Sequence, residues 1–346
     1  MKKKNLPLDK FIEWALYDKK SGYYMKKDPF GKKGDYITSP NISVLFSEMI
    51  AIWCVSYWEH KNCPDKVKII ELGAGNGEML NQIILTIKQF PKFYKSCKFY
   101  IFEKSKYLKG IQKKKLSSLD VQWINSIKEK DQDLNIFLAN EFFDALPVKQ
   151  FTKIKKKWYE KNIRINSKNH FETTDVLYNI DSLKKTLGFD ITEKQTFIEF
   201  SPLLFKILRK IGKNVNNSQG GLLIIDYGTD KNKMKNTVKS IFKHKTNFFL
   251  NNVSNADITY NLNYNLIKKI VKNLNLKVGG FSNQGTFLKN LGILQRGEII
   301  SKNLPFSKKA DIFYRINRLI NKNQMGELFK VLFITSKKNN FKGGFY

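Results

Sequence analysis

One stretch, KVKIIELGAGNGEML at 66–80, limits the fold more than any other part of the chain. An apolar run at 67–71 ends in Glu71, and Gly73, Gly75 and Gly77 follow in a G-x-G-x-G spacing. A helix is expected from Glu78 to about residue 89. Glycines at a strand-to-helix turn let the backbone bend sharply and approach a ligand closely. The pattern then repeats. A strand at 98–102 ends at Glu103, a helix runs to about Leu116, and short strands follow at 121–124 and 136–139. Strands alternating with helices imply an α/β fold with a mostly parallel sheet. In open sheets of this kind, ligands lie at the C-terminal ends of the strands.

The flanks differ. Residues 9–18 read as a short helix, a polar loop leads to GDYITSP at 34–40, and a helix is expected over 44–58. After the fourth strand, KKWYEKNIRIN at 156–166 and NHFETTDVLYNI at 169–180 alternate as antiparallel strands do. The α/β pattern is expected to resume at QTFIEFSP, 195–202, followed by a helix, the apolar run GGLLIIDYG at 220–228, an amphipathic helix at 265–274 and strands near 276–281 and 328–334. This divides the chain into an N-terminal helical or lid segment (1–60), the first part of a ligand-binding core (61–150), a β-rich inserted cap (151–195), the rest of the core (196–335) and a polar, frayed tail (336–346).

Composition excludes several classes. Apolar residues make up 42% of the 346, enough for a globular core. The longest apolar runs are too short to cross a bilayer, so no membrane insertion is expected. The start, MKKKNLPLDKF, is basic but lacks the apolar core of a secretory signal. Cys54, Cys63 and Cys97 have no metal-ligand spacing, and a reducing cytoplasm fits them best. The formal charge of +32 comes almost entirely from lysine, with arginine only at 164, 209, 296, 315 and 318. A scattered lysine surface is the plain reading, since nucleic-acid surfaces favour arginine forks; nucleic acid is disfavoured as a partner without being excluded. His60, His170 and His244 form no cluster, and the GxSxG, P-loop and HExxH motifs are absent.

Three motifs carry chemistry. The glycine spacing lacks the G-x-G-x-x-G of dinucleotide folds and suits a ligand without a pyrophosphate. S-adenosylmethionine is such a ligand, with its carboxylate, ammonium, sulfonium and nucleoside. An acid near the loop can pair with its amino group, and Glu103 can accept both ribose hydroxyls. GDYITSP contains the helix-start residues Thr38, Ser39 and Pro40, and Asp35 and Tyr36 are surplus to a simple cap. NEFFDALP at 140–147 is either a polar turn with core phenylalanines or a catalytic floor. Paired carboxylates, Glu141 and Asp144, can grip a guanidinium and take its proton during methyl transfer.

These motifs, with LLIIDYG (222–228), ADIT (256–259), QGTFLKNLGI (284–293) and MGELFKVL (325–332), resemble one family over nearly the whole chain. It is the class I S-adenosylmethionine-dependent methyltransferases related to a mitochondrial complex I assembly factor that methylates a protein arginine. The resemblance implies a Rossmann-like core with an insertion, and symmetric dimethylation of the roughly 49 kDa subunit of NADH dehydrogenase. It implies a cytoplasmic protein here, and a mitochondrial matrix protein for eukaryotic relatives. Carried over by position, it places Gly34, Asp35, Thr38, Ser39, Glu71, Gly73, Gly75, Glu103 and Asn140 at the cofactor, and Asn140, Glu141 and Asp144 at the reaction. Asp226, Tyr227, Asp257, Thr259, Gln284 and Gly285 match further motifs. The chain departs from the family pattern at Asn41, Ser47, Ala74, Asn76, Asn125, Ser126 and Asn263. The alternatives are an RNA or small-molecule methyltransferase, and a non-catalytic assembly chaperone that keeps the cofactor fold.

Overall fold

The computed structural model describes residues 5–26, 29, 37–242 and 245–346. The chain forms two compact units, and each crosses the sequence several times. One comprises residues 28–142, 210–228 and 275–346, the other 1–27, 143–209 and 229–274.

The first unit is built on the expected sheet. Its first four strands are Val67–Leu72, Cys97–Phe102, Val121–Ile124 and Leu134–Asn140. The fifth is Gly221–Thr229, and the sixth and seventh are Leu276–Asn283 and Phe329–Ser336. They lie in the order sixth, seventh, fifth, fourth, first, second, third. The first five are mutually parallel, and the seventh runs antiparallel between the fifth and sixth. The inner strands carry near-continuous apolar runs and are buried along most of their length, as a parallel sheet requires. Register aligns their C-terminal ends. Leu72 lies beside Phe102, Glu71 beside Leu138, and Asn140 beside Ile225. The polar residues ending these strands therefore share one edge of the sheet.

Helix Val44–His60 contributes Phe46, Met49, Trp53 and Tyr57 to the core, and its N-terminus is capped by the Ser43 hydroxyl, which accepts from Leu45 N–H at 3.3 Å. The C-terminal residues correct the expectation of a frayed tail. Phe341 is buried against Trp53, with ring centroids 5.7 Å apart, and Trp53 Nε1 donates to the Gly343 carbonyl at 3.1 Å. Asn339 donates to Tyr57 Oη at 2.7 Å. Phe341, Phe345 (its ring centroid 5.0 Å from that of Phe287) and these bonds outweigh the polar composition of the segment.

The second unit is antiparallel. Lys157–Ile165 pairs with Phe171–Tyr178 as the alternation implied, and also with Lys149–Ile154. QTFIEFSP does not resume the parallel pattern: its strand, Phe197–Phe200, joins Lys149–Ile154 in the antiparallel sheet. The reason is local. The register of FIEF sets Glu199 beside Gln150, whose Nε2 donates to the Glu199 carboxylate at 2.6 Å. The β-rich part is thus larger than 151–195, and the N-terminal helix Leu8–Tyr17 belongs with it while Val44–His60 belongs with the parallel sheet.

Candidate active site

Within the parallel-sheet unit, a shallow cleft opens at the shared strand edge. Thr38, Asn41, Glu71, Gly73, Gly75, Asn140 and Glu141 line it. The glycines are needed for stated reasons. Gly73 has φ of 65°, and a Cβ there would stand 2.6 Å from Phe142 Cδ2. Gly75 and Gly77 also have positive φ, 53° and 82°, where L side chains are strained.

Glu71 is 3% exposed, and its Oε2 has no hydrogen-bond partner. Burial pushes its carboxyl up to about 8; the Leu80 N–H opposes this weakly and the charge of Glu103 adds to it. Asn140 Oδ1 is a second buried acceptor without a partner. Asn140 Nδ2 donates to Glu141 Oε1 at 3.3 Å, which leaves Oδ1 as the remaining acceptor. Buried acceptors are nearly always satisfied, so two orphans in one cleft call for a donor-rich ligand. An ammonium group supplies such donors.

Glu103 follows the second strand. Burial raises its pKa as well, against hydrogen bonds from Ser105, Gln112 and Lys104 and the charge of Lys109. Its Oε1 accepts from Ser105 N–H at 2.8 Å and its Oε2 from Gln112 Nε2 at 3.1 Å. The residues present fit S-adenosylmethionine. The glycine backbone leaves room for close approach, Glu71 and Asn140 would take the ammonium, and Glu103 would take the ribose hydroxyls.

Glu141 stands directly after the fourth strand in the left-handed region, with φ of 48°. Its N–H donates to the Ile225 carbonyl at 2.9 Å, which fixes the turn. Its Oε1 also accepts from Ser39 N–H at 3.3 Å. Ser39 Oγ in turn donates to Gln284 Oε1 at 3.3 Å, and Gln284 Nε2 donates to the Leu319 carbonyl at 2.9 Å. Gln284 therefore acts through packing, as does Gly285, where a Cβ would lie 2.5 Å from the Ile320 carbonyl oxygen and 3.3 Å from Gly326 Cα.

Of the expected site residues, Thr38, Ser39, Glu71, Gly73, Gly75, Asn140 and Glu141 gather in or beside this cleft. Gly34 and Asp35, with Tyr36 and His244, lie outside the described residues. The NEFFD motif divides between the two units after Phe142. Asp144 lies in the other unit, where its Oδ2 accepts from Thr259 Oγ1 at 2.9 Å and its carbonyl from Tyr260 N–H at 3.3 Å. Asp257 is buried in the same strand as Thr259. Asp226 is fully buried within the fifth strand, with its Oδ1 accepting from Tyr227 N–H at 2.9 Å.

Two groupings escaped the sequence reading. Gln112 bonds both Glu103 and the glycine loop. Asn41 and Asn76, both departures from the family pattern, meet each other: Asn76 Nδ2 donates to Asn41 Oδ1 at 3.3 Å, and Asn41 Nδ2 to Thr38 Oγ1 at 2.7 Å. Asn263, a third departure, caps helix Tyr264–Asn273 by accepting from Leu266 N–H, a role asparagine and aspartate fill about equally. Asn125 is exposed and accepts from Lys109 Nζ at 2.8 Å. Among the described residues no group of side chains could hold a metal ion, and no helix is long and apolar enough to cross a membrane.

Comparison with known proteins identifies the family and the fold. A family described as "Putative S-adenosyl-L-methionine-dependent methyltransferase" matches residues 49–282. The chain is 28% identical to "Protein arginine methyltransferase NDUFAF7, mitochondrial" of Xenopus laevis, covering 94% of this chain and 80% of that one. The Homo sapiens protein of the same name is 26% identical, with 97% and 81% covered. A Burkholderia thailandensis "likely methyl transferase" bound to S-adenosyl-homocysteine shares the fold, with a TM-score of 0.81 at 20% identity, covering 96% of this chain and 88% of that one. The matched segment holds the glycine loop, Glu103 and the Asn140–Glu141 turn, and the chain belongs to this family of S-adenosyl-L-methionine-dependent methyltransferases.

Proposed function

We propose that this methyltransferase acts on a protein and places the methyl group on arginine. The observation that carries the reading is Glu141, a carboxylate held at positive φ in the same cleft as the glycine loop. A non-glycine residue held there is strained, and such strain clusters at functional sites. Relatives named protein arginine methyltransferases support the same substrate class.

The cofactor, when bound, supplies an electrophilic methyl on its sulfonium. The chain's own residues do the rest. A guanidinium keeps its proton at neutral pH because its pKa lies far above that range. Glu141 would accept two of its N–H bonds, orient one nitrogen and take the proton that nitrogen loses. The bonds Glu141 now makes to Ser39 and Asn140 are both long, 3.3 Å, so they can yield to a charged donor. Asp144 is the second carboxylate of the motif. Phe142, packed on Gly73, would help exclude water. The partner is a subunit of respiratory complex I of about 49 kDa, the product symmetric dimethylarginine, and the compartment the cytoplasm.

Labelled-methyl transfer to that subunit, followed by amino-acid analysis, tests the reading. Label is expected on arginine, and Glu141→Gln is expected to lower transfer by about 100-fold while S-adenosylhomocysteine binding changes by less than about threefold. Asp144→Asn, assayed beside it, decides which carboxylate grips the acceptor. Label on RNA or on another residue, or full transfer by Glu141→Gln, overturns the proposal.

A further inference from the structure

We propose that Gln112 is a positioning residue for the cofactor's ribose, holding Glu103 and the glycine loop in register through a single amide. The inference rests on the reading of Glu103 as the ribose acid. Gln112 lies on helix Lys106–Lys115, a segment crowded with lysine, yet it is fully buried. Leu108 and Gln112 are the buried residues of that helix, four apart and so on one face. A polar side chain at such a position is costly unless every polar atom is bonded.

Here every atom is bonded. Gln112 Nε2 donates one hydrogen to the Gly75 carbonyl at 2.9 Å and the other to Glu103 Oε2 at 3.1 Å. Gln112 Oε1 accepts from Trp123 Nε1 at 2.9 Å. The orientation has no alternative. An indole N–H can only donate and a peptide carbonyl can only accept, so a flipped amide would lose all three bonds. The amide thus joins the loop after the first strand, the acid after the second and the end of the third. Ser105 N–H holds the other oxygen of Glu103. With both oxygens held from the protein side, the carboxylate keeps one orientation, and its remaining lone pairs are directed by Gln112 and Ser105 together. No other residue type does this. Glutamate would oppose Glu103 and the Gly75 carbonyl with a second acceptor, and leucine would fill the space but leave Trp123 Nε1 and Glu103 short of partners.

The test is isothermal titration of S-adenosylhomocysteine and its 2′-deoxy analogue into wild type, Gln112→Leu and Trp123→Phe, with thermal melting to confirm folding. Wild type is expected to favour the hydroxylated ligand by about tenfold or more, since a site built to bond a hydroxyl rejects a ligand lacking it. In Gln112→Leu the affinity for S-adenosylhomocysteine is expected to fall about tenfold while that for the deoxy analogue changes by less than about threefold, so discrimination collapses. Trp123→Phe keeps both Nε2 bonds but leaves Oε1 without its anchor, so the amide is held less tightly in place, and discrimination is expected to fall at least twofold. It decides the matter if Gln112→Leu does not fold. Equal weakening of both ligands, with wild-type discrimination kept, makes Gln112 a mere scaffold and overturns the proposal. If wild type itself does not discriminate, the ribose role of Glu103 fails, and the role of Gln112 fails with it.

Discussion

The first and fourth strands of the sheet lie side by side and end at the same edge, but they turn into the cleft differently. After the first strand the chain turns on Gly73, at φ of 65°, where no side chain would fit beside Phe142. After the fourth it turns on Glu141, at φ of 48°, where glycine would be easier and a carboxylate stands instead. A non-glycine residue in the left-handed region costs about 1–2 kcal/mol. The chain therefore gives backbone freedom to the place where a ligand must approach closely. It accepts strain at the carboxylate that the proposed reaction uses.

Exchanging the two solutions breaks the comparison. Gly73→Ala adds a Cβ inside van der Waals contact with Phe142 and strains the loop, and is expected to cost about 2–4 kcal/mol of stability. Its affinity for S-adenosylhomocysteine should fall beyond about 100-fold, read by calorimetry; an unchanged affinity would show that the loop tolerates displacement. The reverse exchange, Glu141→Gly, should raise stability by up to about 1 kcal/mol in chemical denaturation, because the strain is relieved, while methyl transfer is lost. A destabilised Glu141→Gly protein would mean that the bonds to Ser39 and Asn140 outweigh the strain, and the residue would then be structural first.

Much of this edge was legible in the sequence because its signals are local. The order acid, glycine, helix within one dozen residues specifies the first strand and its turn. Alternating apolar runs specify the parallel strands, and IFLAN specifies the fourth, with its polar end at Asn140. What escaped depends on partners far apart in the chain. Gln112 meets Gly75 across 37 positions, and Asn76 meets Asn41 across 35. Nothing in KYLKGIQKKK distinguishes one glutamine as a hub until Trp123 and Glu103 are placed around it. The order of the 336–346 segment is not legible locally, because the partners of Phe341 and Phe345, Trp53 and Phe287, lie in helices far away in sequence. FIEF joins the antiparallel sheet and not the parallel one because a short apolar run specifies a strand but not its neighbour.

The smallest effect concerns the acid shared by both sides of the comparison. Glu71 lies beside Leu138 of the fourth strand and two residues before the glycine turn, and burial pushes its carboxyl up to about 8 from an ordinary 4.5, with Glu103 adding to the rise. Between those values the folded protein keeps a proton that the unfolded chain releases. The stability contributed by the neutral carboxyl is complete below about 4.5 and is lost as pH rises through about 8. Melting temperature of the ligand-free protein should thus decline across this window relative to Glu71→Gln, which carries no such proton. An arriving ammonium favours the ionised form, so binding S-adenosylhomocysteine at pH 7 should release close to one proton. Titration in buffers of different ionisation enthalpy reads that number directly. Affinity should rise with pH toward 8 by at most about tenfold per unit, since one proton is linked, and the rise should vanish in Glu71→Gln. If wild type binds without proton release, Glu71 is not the partner of the ammonium, and Asn140 on the fourth strand becomes the side that holds it.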